Sequence, residues 1–257
     1  MNEASHSLGR LAAATGRLLA SATALTDAQL REPSLLPGWT RGHVLTHIAR
    51  NADGMVNLLH WARTGTETPM YASAQSRSAD IEAGAGRPAA DLAADVRDSA
   101  AAFAGQAAAM PDDAWTVAVR ALNGPPFPAL GVLDRRLSEV EIHHVDLAAG
   151  YSPGDWPADF VADALPRVAG SFTGRDDTPA CLVWAEGAPH GYRIGPASTG
   201  STTSTADTGS TADTGSRPVV VHGPPAELLA WLLGRDSGAG LRVSGEPAAT
   251  PVLPAWR

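Results

Sequence analysis

Apolar residues recur every three to four positions through residues 1–150, and the pattern then changes. Leu8, Leu11, Ala12, Leu18, Leu19 and Leu25 give the first segment a helical spacing. Leu35-Leu-Pro-Gly-Trp39 reads as a turn. Thr40 is placed to cap a helix running to about Arg63, with Ala52, Val56, Leu59 and Ala62 as its apolar contacts. Gly84 to Pro88 interrupts the chain, and the Ala-rich stretch from Asp91 to Met110 is helical up to Pro111. Asn123-Gly-Pro-Pro-Phe-Pro128 is a second breaker, after which a fourth helix is predicted from about Ala129 to Ala149, closing at Gly150. Four long helices predict an up-and-down four-helix bundle over 1–150.

Past Tyr151-Ser-Pro-Gly the helical repeat gives way to short alternating runs. Trp156 to Phe172 reads as one helix with Pro166 inside it. Cys181–Trp184, Gly191–Ile194, Pro218–His222 and Leu241–Ser244 read as strands. Pro225 to Leu233 is helical, with Pro225 suited to the first turn. Residues 151–257 therefore read as a small α+β domain, a helix-and-sheet sandwich. Within it, 197–216 is nearly all Ser, Thr, Gly, Ala and Asp, and Thr-Ala-Asp-Thr-Gly-Ser occurs at 205–210 and again at 211–216. Such units bury no apolar face, so the segment reads as a flexible, solvated insertion rather than a repeat array.

Composition narrows the partners. With 44% hydrophobic residues, the 257-residue chain has enough apolar material for a core. No run approaches the length of a membrane span, and Met-Asn-Glu-Ala-Ser-His6 lacks the basic and apolar regions of a secretory signal. A net charge of -8 with no basic cluster argues against nucleic acid. The single cysteine, Cys181, excludes an internal disulfide and fits a cytoplasmic setting. It lies in an apolar run and reads as buried rather than reactive.

The chemistry concentrates in Glu139-Val-Glu-Ile-His-His-Val-Asp146. Glu139 and His143 are four residues apart and share one helix face; His43 and His47 repeat that spacing upstream. Two helices so equipped could hold a divalent metal through imidazole and carboxylate groups, Zn²⁺ with an open fourth position being one fit. Periodicity does not choose the ligands. Leu133, Leu137, Val140, His144 and Leu147 share one stripe, while Glu139 and His143 share a flank with Val132 and Arg136. His144 with Glu141 is an equally regular inward pair on spacing alone. A di-iron site would need a second Glu-x-x-His, which is absent. Neither His-Glu-x-x-His nor Gly-x-Ser-x-Gly occurs.

Leu36-Pro-Gly-Trp-Thr-Arg-Gly-His-Val-Leu-Thr-His47, continuing to Asp53, resembles the second-helix signature of the mycothiol-dependent maleylpyruvate isomerase family. Arg136-Leu-Ser-Glu-Val-Glu-Ile-His-His-Val-Asp146 resembles its fourth-helix signature. Ala230-Trp-Leu-Leu-Gly-Arg235, Val243-Ser-Gly-Glu-Pro247 and Leu253-Pro-Ala-Trp256 fit the family's C-terminal domain. The resemblance implies a DinB-like metal-binding bundle and a small C-terminal α/β domain. It places the metal, most often Zn²⁺, on His47, Glu139 and His143, leaving His144 structural. It matches Arg235 to an arginine contributing to activity, and it brings mycothiol as thiol cosubstrate. The implied reaction is cis–trans isomerisation of maleylpyruvate, a dicarboxylate, to fumarylpyruvate. Arg77 and Arg87 are further cations for the substrate, and Asp146 could orient a ligand. Two rival readings are a mycothiol S-transferase acting on another electrophile and a non-catalytic DinB-like binding module. A monomer is expected.

Overall fold

The structure, a computed structural model, describes residues 3–122, 124–196, 218–245 and 249–256. The chain divides into two compact units, 1–152 and 153–257. The insertion expected at 197–216 lies outside the described residues.

The first unit is helical. Its helices are α1 (Glu3–Ala24), the single turn α2 (Asp27–Leu30), α3 (Arg41–Thr64), α4 (Ala74–Gly84), α5 (Ala89–Ala108) and α6 (Gly131–Asp146). The four long ones form the bundle, in which α1 packs on α5 and α6, and α3 packs on the same two. Arg17 meets Glu141 and Ser21 meets His144, so α1 and α6 run in the same direction, where a simple up-and-down bundle would set its first and fourth helices antiparallel. His47 meets His143 while Asn51 meets Arg136, so α3 runs against α6.

The buried face of α1 is Ala4, Ser7, Leu11, Ala14, Leu18 and Ala22, a regular three-to-four spacing. Ala12, expected to be inside, is exposed. Helix α3 is buried almost all round, because α4, α5, α6 and a short hairpin all pack on it. That hairpin pairs β1 (Ala118–Arg120) with β2 (Pro126–Pro128), antiparallel, where the sequence suggested only a breaker.

Helix α4 lies in the long connection between α3 and α5. A side chain at Gly42, in the first turn of α3, would run into the carbonyl oxygen of Ala85 just past the end of α4. Glycine at 42 thus lets α4 pack close to α3. Helix α3 ends at Gly65, in the left-handed conformation with φ 73°, where its N–H bonds back to Trp61.

The second unit has α7 (Ala158–Ser171) and α8 (Pro225–Leu232) on a four-stranded sheet of order β4-β3-β5-β6. Strands β3 (Cys181–Ala185) and β5 (Val220–Gly223) are parallel; β4 (Tyr192–Ile194) and β6 (Arg242–Ser244) flank them antiparallel. Cys181, Val183 and Ala185 alternate inward along β3, the period of a half-buried strand. Burial pushes the Cys181 thiol up to about pKa 11, so it is a poor source of thiolate. No helix among the described residues is long and apolar enough to cross a membrane.

Candidate metal centre

His47 turns inward one turn after His43 because of how α3 begins. The Thr40 hydroxyl accepts from the His43 backbone N–H, and His43 Nδ1 accepts from the Thr40 N–H at 3.2 Å. An imidazole here fills the capping-box position usual for Glu or Gln. His43 Nε2 faces Glu82 at 3.1 Å. His43 is therefore committed to the helix start, while His47 is only 3% exposed.

Glu139 and His143 lie one turn apart on α6 and meet His47 across the α3–α6 contact. His47 Nε2 is 3.0 Å from Glu139 Oε2 and 3.0 Å from His143 Nε2. His143 Nε2 is 3.3 Å from the same carboxylate oxygen. Three donor atoms thus face one point. In a tetrahedral shell with bonds of ~2.1 Å, donors stand about 3.4 Å apart, so the arrangement fits a divalent metal after a small expansion. The N, N, O set suits Zn²⁺ and leaves a position open.

Asp146, fully buried on the last turn of α6, lies with Oδ2 2.7 Å from His143 Nδ1. That bond holds a proton on His143 Nδ1 and aims Nε2 at Glu139 and His47. Burial opposes a charge on His143, but Asp146 and Glu139 outweigh it and raise its pKa. Burial alone would raise Glu139; hydrogen bonds from His143 and His47 instead hold it well below the usual carboxylate range. Burial lowers His47 to about 4, helped by His143 and by the Arg77 cation against the pull of Glu139.

The low His47 value sets a pH dependence for the metal-free protein. An unfolded histidine titrates near 6.5, so between about pH 6.5 and 4 the unfolded chain binds the extra proton. Stability carried by neutral His47 is complete above that window and is lost as pH falls through it, approaching about 3 kcal/mol in full. His143, with its raised pKa, contributes stability lost only as pH rises above 6.5. Glu139, with its lowered pKa, contributes stability lost only below about 4.5. Urea unfolding of the metal-free protein should therefore lose about 2 kcal/mol between pH 6.5 and 5. A His47→Gln variant should be flat there; equal wild-type stability at both pH values would contradict a buried neutral His47.

Glu141 and His144 face α1 instead. Arg17 Nη2 donates to Glu141 Oε1 at 2.6 Å, and the Tyr151 hydroxyl donates to Glu141 Oε2 at 2.6 Å. His144 Nε2 is 2.8 Å from the Ser21 hydroxyl, and its ring stacks on Tyr151 with centroids 3.8 Å apart. Among the further cations, Arg87 is paired with Asp95 at 2.7 Å. Arg77, from α4, reaches the centre, with Nη2 3.0 Å from His47 Nδ1. Arg235 belongs to the second unit, just after α8, where its Nη1 donates to the Leu233 carbonyl at 2.6 Å.

Two aromatic neighbours were not marked as site residues by the sequence. The Trp39 ring lies 5.6 Å from that of His47, and its place in the second-helix signature, directly before the Thr40 cap, was the signal for it. Tyr71 lies beneath Arg77, whose guanidinium carbon is 5.7 Å from the ring centroid. Nothing in the sequence around Tyr71 marks it out.

Comparison with known proteins identifies the family. Residues 11–148 match the model of the mycothiol maleylpyruvate isomerase N-terminal domain, and residues 155–251 match the MDMPI C-terminal domain. The crystal structure of the mycothiol-dependent maleylpyruvate isomerase is similar, with a TM-score of 0.86 and 28% identity over 99% of this chain and 98% of that one. A crystal structure of a histidine-to-alanine mutant of that isomerase has a TM-score of 0.85, with the same identity and coverage. A search of curated protein sequences finds no match. With both domain models matched in order along it, the chain belongs to the mycothiol maleylpyruvate isomerase family.

Proposed function

We propose that this protein is a mycothiol-dependent cis–trans isomerase that converts maleylpyruvate to fumarylpyruvate, with His47, Glu139 and His143 as metal ligands. The observation that carries the reading is the convergence of those three side chains in a chain matching both domains of the family. A divalent metal held there, Zn²⁺ by its donor set, would supply the positive charge that makes a bound thiol a thiolate near neutral pH.

The chain's own groups prepare that chemistry. Glu139 is kept ionised by the two imidazoles, and Asp146 engages His143 Nδ1 so that Nε2 is the atom aimed inward. Buried Cys181 is not a nucleophile, which leaves an external thiol to act. Addition of the thiolate to one alkene carbon turns the double bond into a single bond that rotates. Expulsion of the thiolate restores the alkene in the trans form and returns the thiol unchanged. The product of isomerisation retains both carboxylates, and Arg235 is retained from the family resemblance as an arginine contributing to activity.

The test is to incubate metal-loaded protein with maleylpyruvate, with and without mycothiol. Loss of the cis compound that requires mycothiol, with the mycothiol recovered in full, is the expected result. A stable thioether would make the protein a mycothiol S-transferase. No reaction, together with no bound metal, would favour a non-catalytic DinB-like module.

A further inference from the structure

His143 and His47 are prepared differently for a metal. Asp146 already engages the His143 Nδ1 proton, so Nε2 is the atom left for a metal. Arg77 does the opposite to His47. A guanidinium has only donors to offer, so at 3.0 Å from Arg77 Nη2 the His47 Nδ1 must be the acceptor. A neutral ring then carries its proton on Nε2, the atom facing Glu139 and His143. Ligation through Nε2 moves that proton to Nδ1, where it would point at the Arg77 N–H. Two donors cannot share that separation, and His47 is buried against α6 and cannot turn away.

Arg77 is the side that can move. It stands in the first turn of α4, partly exposed, with Tyr71 as its other close neighbour. Among the described residues no carboxylate is paired with it. Once released from His47 it is a cation beside the metal, suited to one carboxylate of an anionic ligand.

We propose that Arg77 couples the two binding events: it holds His47 Nδ1 in the metal-free centre, is freed when His47 ligates, and then binds a carboxylate of the substrate. The proposal rests on His47 being a ligand. Two consequences follow. Arg77 disfavours metal when no anion is present, and metal and dicarboxylate each tighten the binding of the other by the same factor.

The experiment titrates Zn²⁺ into metal-free wild type and Arg77→Met, with and without maleate as the dicarboxylate probe. Trp39 fluorescence provides the readout, its ring being 5.6 Å from that of His47. Wild type should bind Zn²⁺ roughly tenfold tighter with maleate present. Arg77→Met should bind Zn²⁺ alone several-fold tighter than wild type does, and should lose most of the maleate effect. Maleate that merely ligates the metal would act equally on both proteins, and that outcome overturns the proposal. An Arg77→Lys variant, which keeps a cationic donor, should retain part of the coupling; full loss in Arg77→Lys with unchanged affinity in Arg77→Met would also overturn it. ¹⁵N imidazole spectra give a second, independent reading. His47 should carry its proton on Nε2 without metal and on Nδ1 with it, and a wild-type His47 protonated on Nδ1 before metal is added overturns the proposal. Failure of His47 to respond to metal at all would instead remove the ligand assignment itself.

Discussion

Glu139→Ala is expected to purify without metal and to lose isomerisation by on the order of a thousandfold, as when several kcal/mol of transition-state stabilisation is removed. Glu139 Oε2 is the atom both imidazoles share, at 3.0 Å from His47 and 3.3 Å from His143. Removing it leaves two nitrogens without a counter-charge, and a divalent ion bound by imidazoles alone keeps its full charge in a partly buried site. His47→Ala should behave alike. The control is Glu141→Gln, on the same helix but facing Arg17 and Tyr151. It should retain stoichiometric metal while losing some stability. Metal content by elemental analysis, set beside the isomerisation rate, decides the matter. An active, metal-free Glu139→Ala protein would remove the metal from the mechanism.

Arg136→Ala should destabilise the fold by about 3–5 kcal/mol, the range for removing one member of a buried charged network and leaving its volume empty. Arg136 is 2% exposed, and its Nη1 donates to the Ile48 carbonyl and to Asn51 Oδ1, each at 2.8 Å. Burial lowers the guanidinium to a pKa of about 10, yet it stays charged at neutral pH, aided by Glu139. The substitution would take this donor from Asn51 Oδ1 and the second bond from the Ile48 carbonyl, in the α3–α6 contact that carries the ligands. Arg136→Met fills most of the volume and should recover part of the loss but not the hydrogen bonds. Urea midpoints for the three proteins give the comparison. A loss below about 1 kcal/mol for Arg136→Ala would mean the buried guanidinium contributes little to the helix contact.

The helices of the bundle were legible because their buried faces repeat at helical spacing: Leu11, Ala14, Leu18 and Ala22 on α1, and Val44, Ile48, Ala52, Met55 and Leu59 on α3. Helix α4 was not, since Ile81 is its one buried residue and a single apolar side chain defines no period. The hairpin was hidden because Pro126 and Pro128 signal a break, although both lie exposed on a short strand where proline is tolerated. At the centre, spacing gave two equivalent pairs on α6. What separates them is α1, whose Arg17 and Ser21 are 124 and 123 residues away from their partners and draw Glu141 and His144 to the other flank. No local pattern encodes that contact. The family resemblance located the flank from sequence, but it could not supply the link between Arg77 and the wrong face of the His47 ring.

Helix α6 is tethered on two sides, by the ligand flank toward α3 and by Glu141 and His144 toward α1. It cannot roll about its axis without breaking one set or the other. A single-residue insertion or deletion between Glu139 and His144 would turn the remainder by 100° and misplace both at once. Variation that alters what the protein accepts, while sparing the fold, therefore has its room at half-exposed positions around α4 such as Tyr71 and Arg77, and not at buried Met70 or Ile81. Arg77 reaches the centre from there, and Tyr71 lies beneath it. Libraries built to retarget the enzyme would do best to leave α6 untouched and to diversify those half-exposed positions.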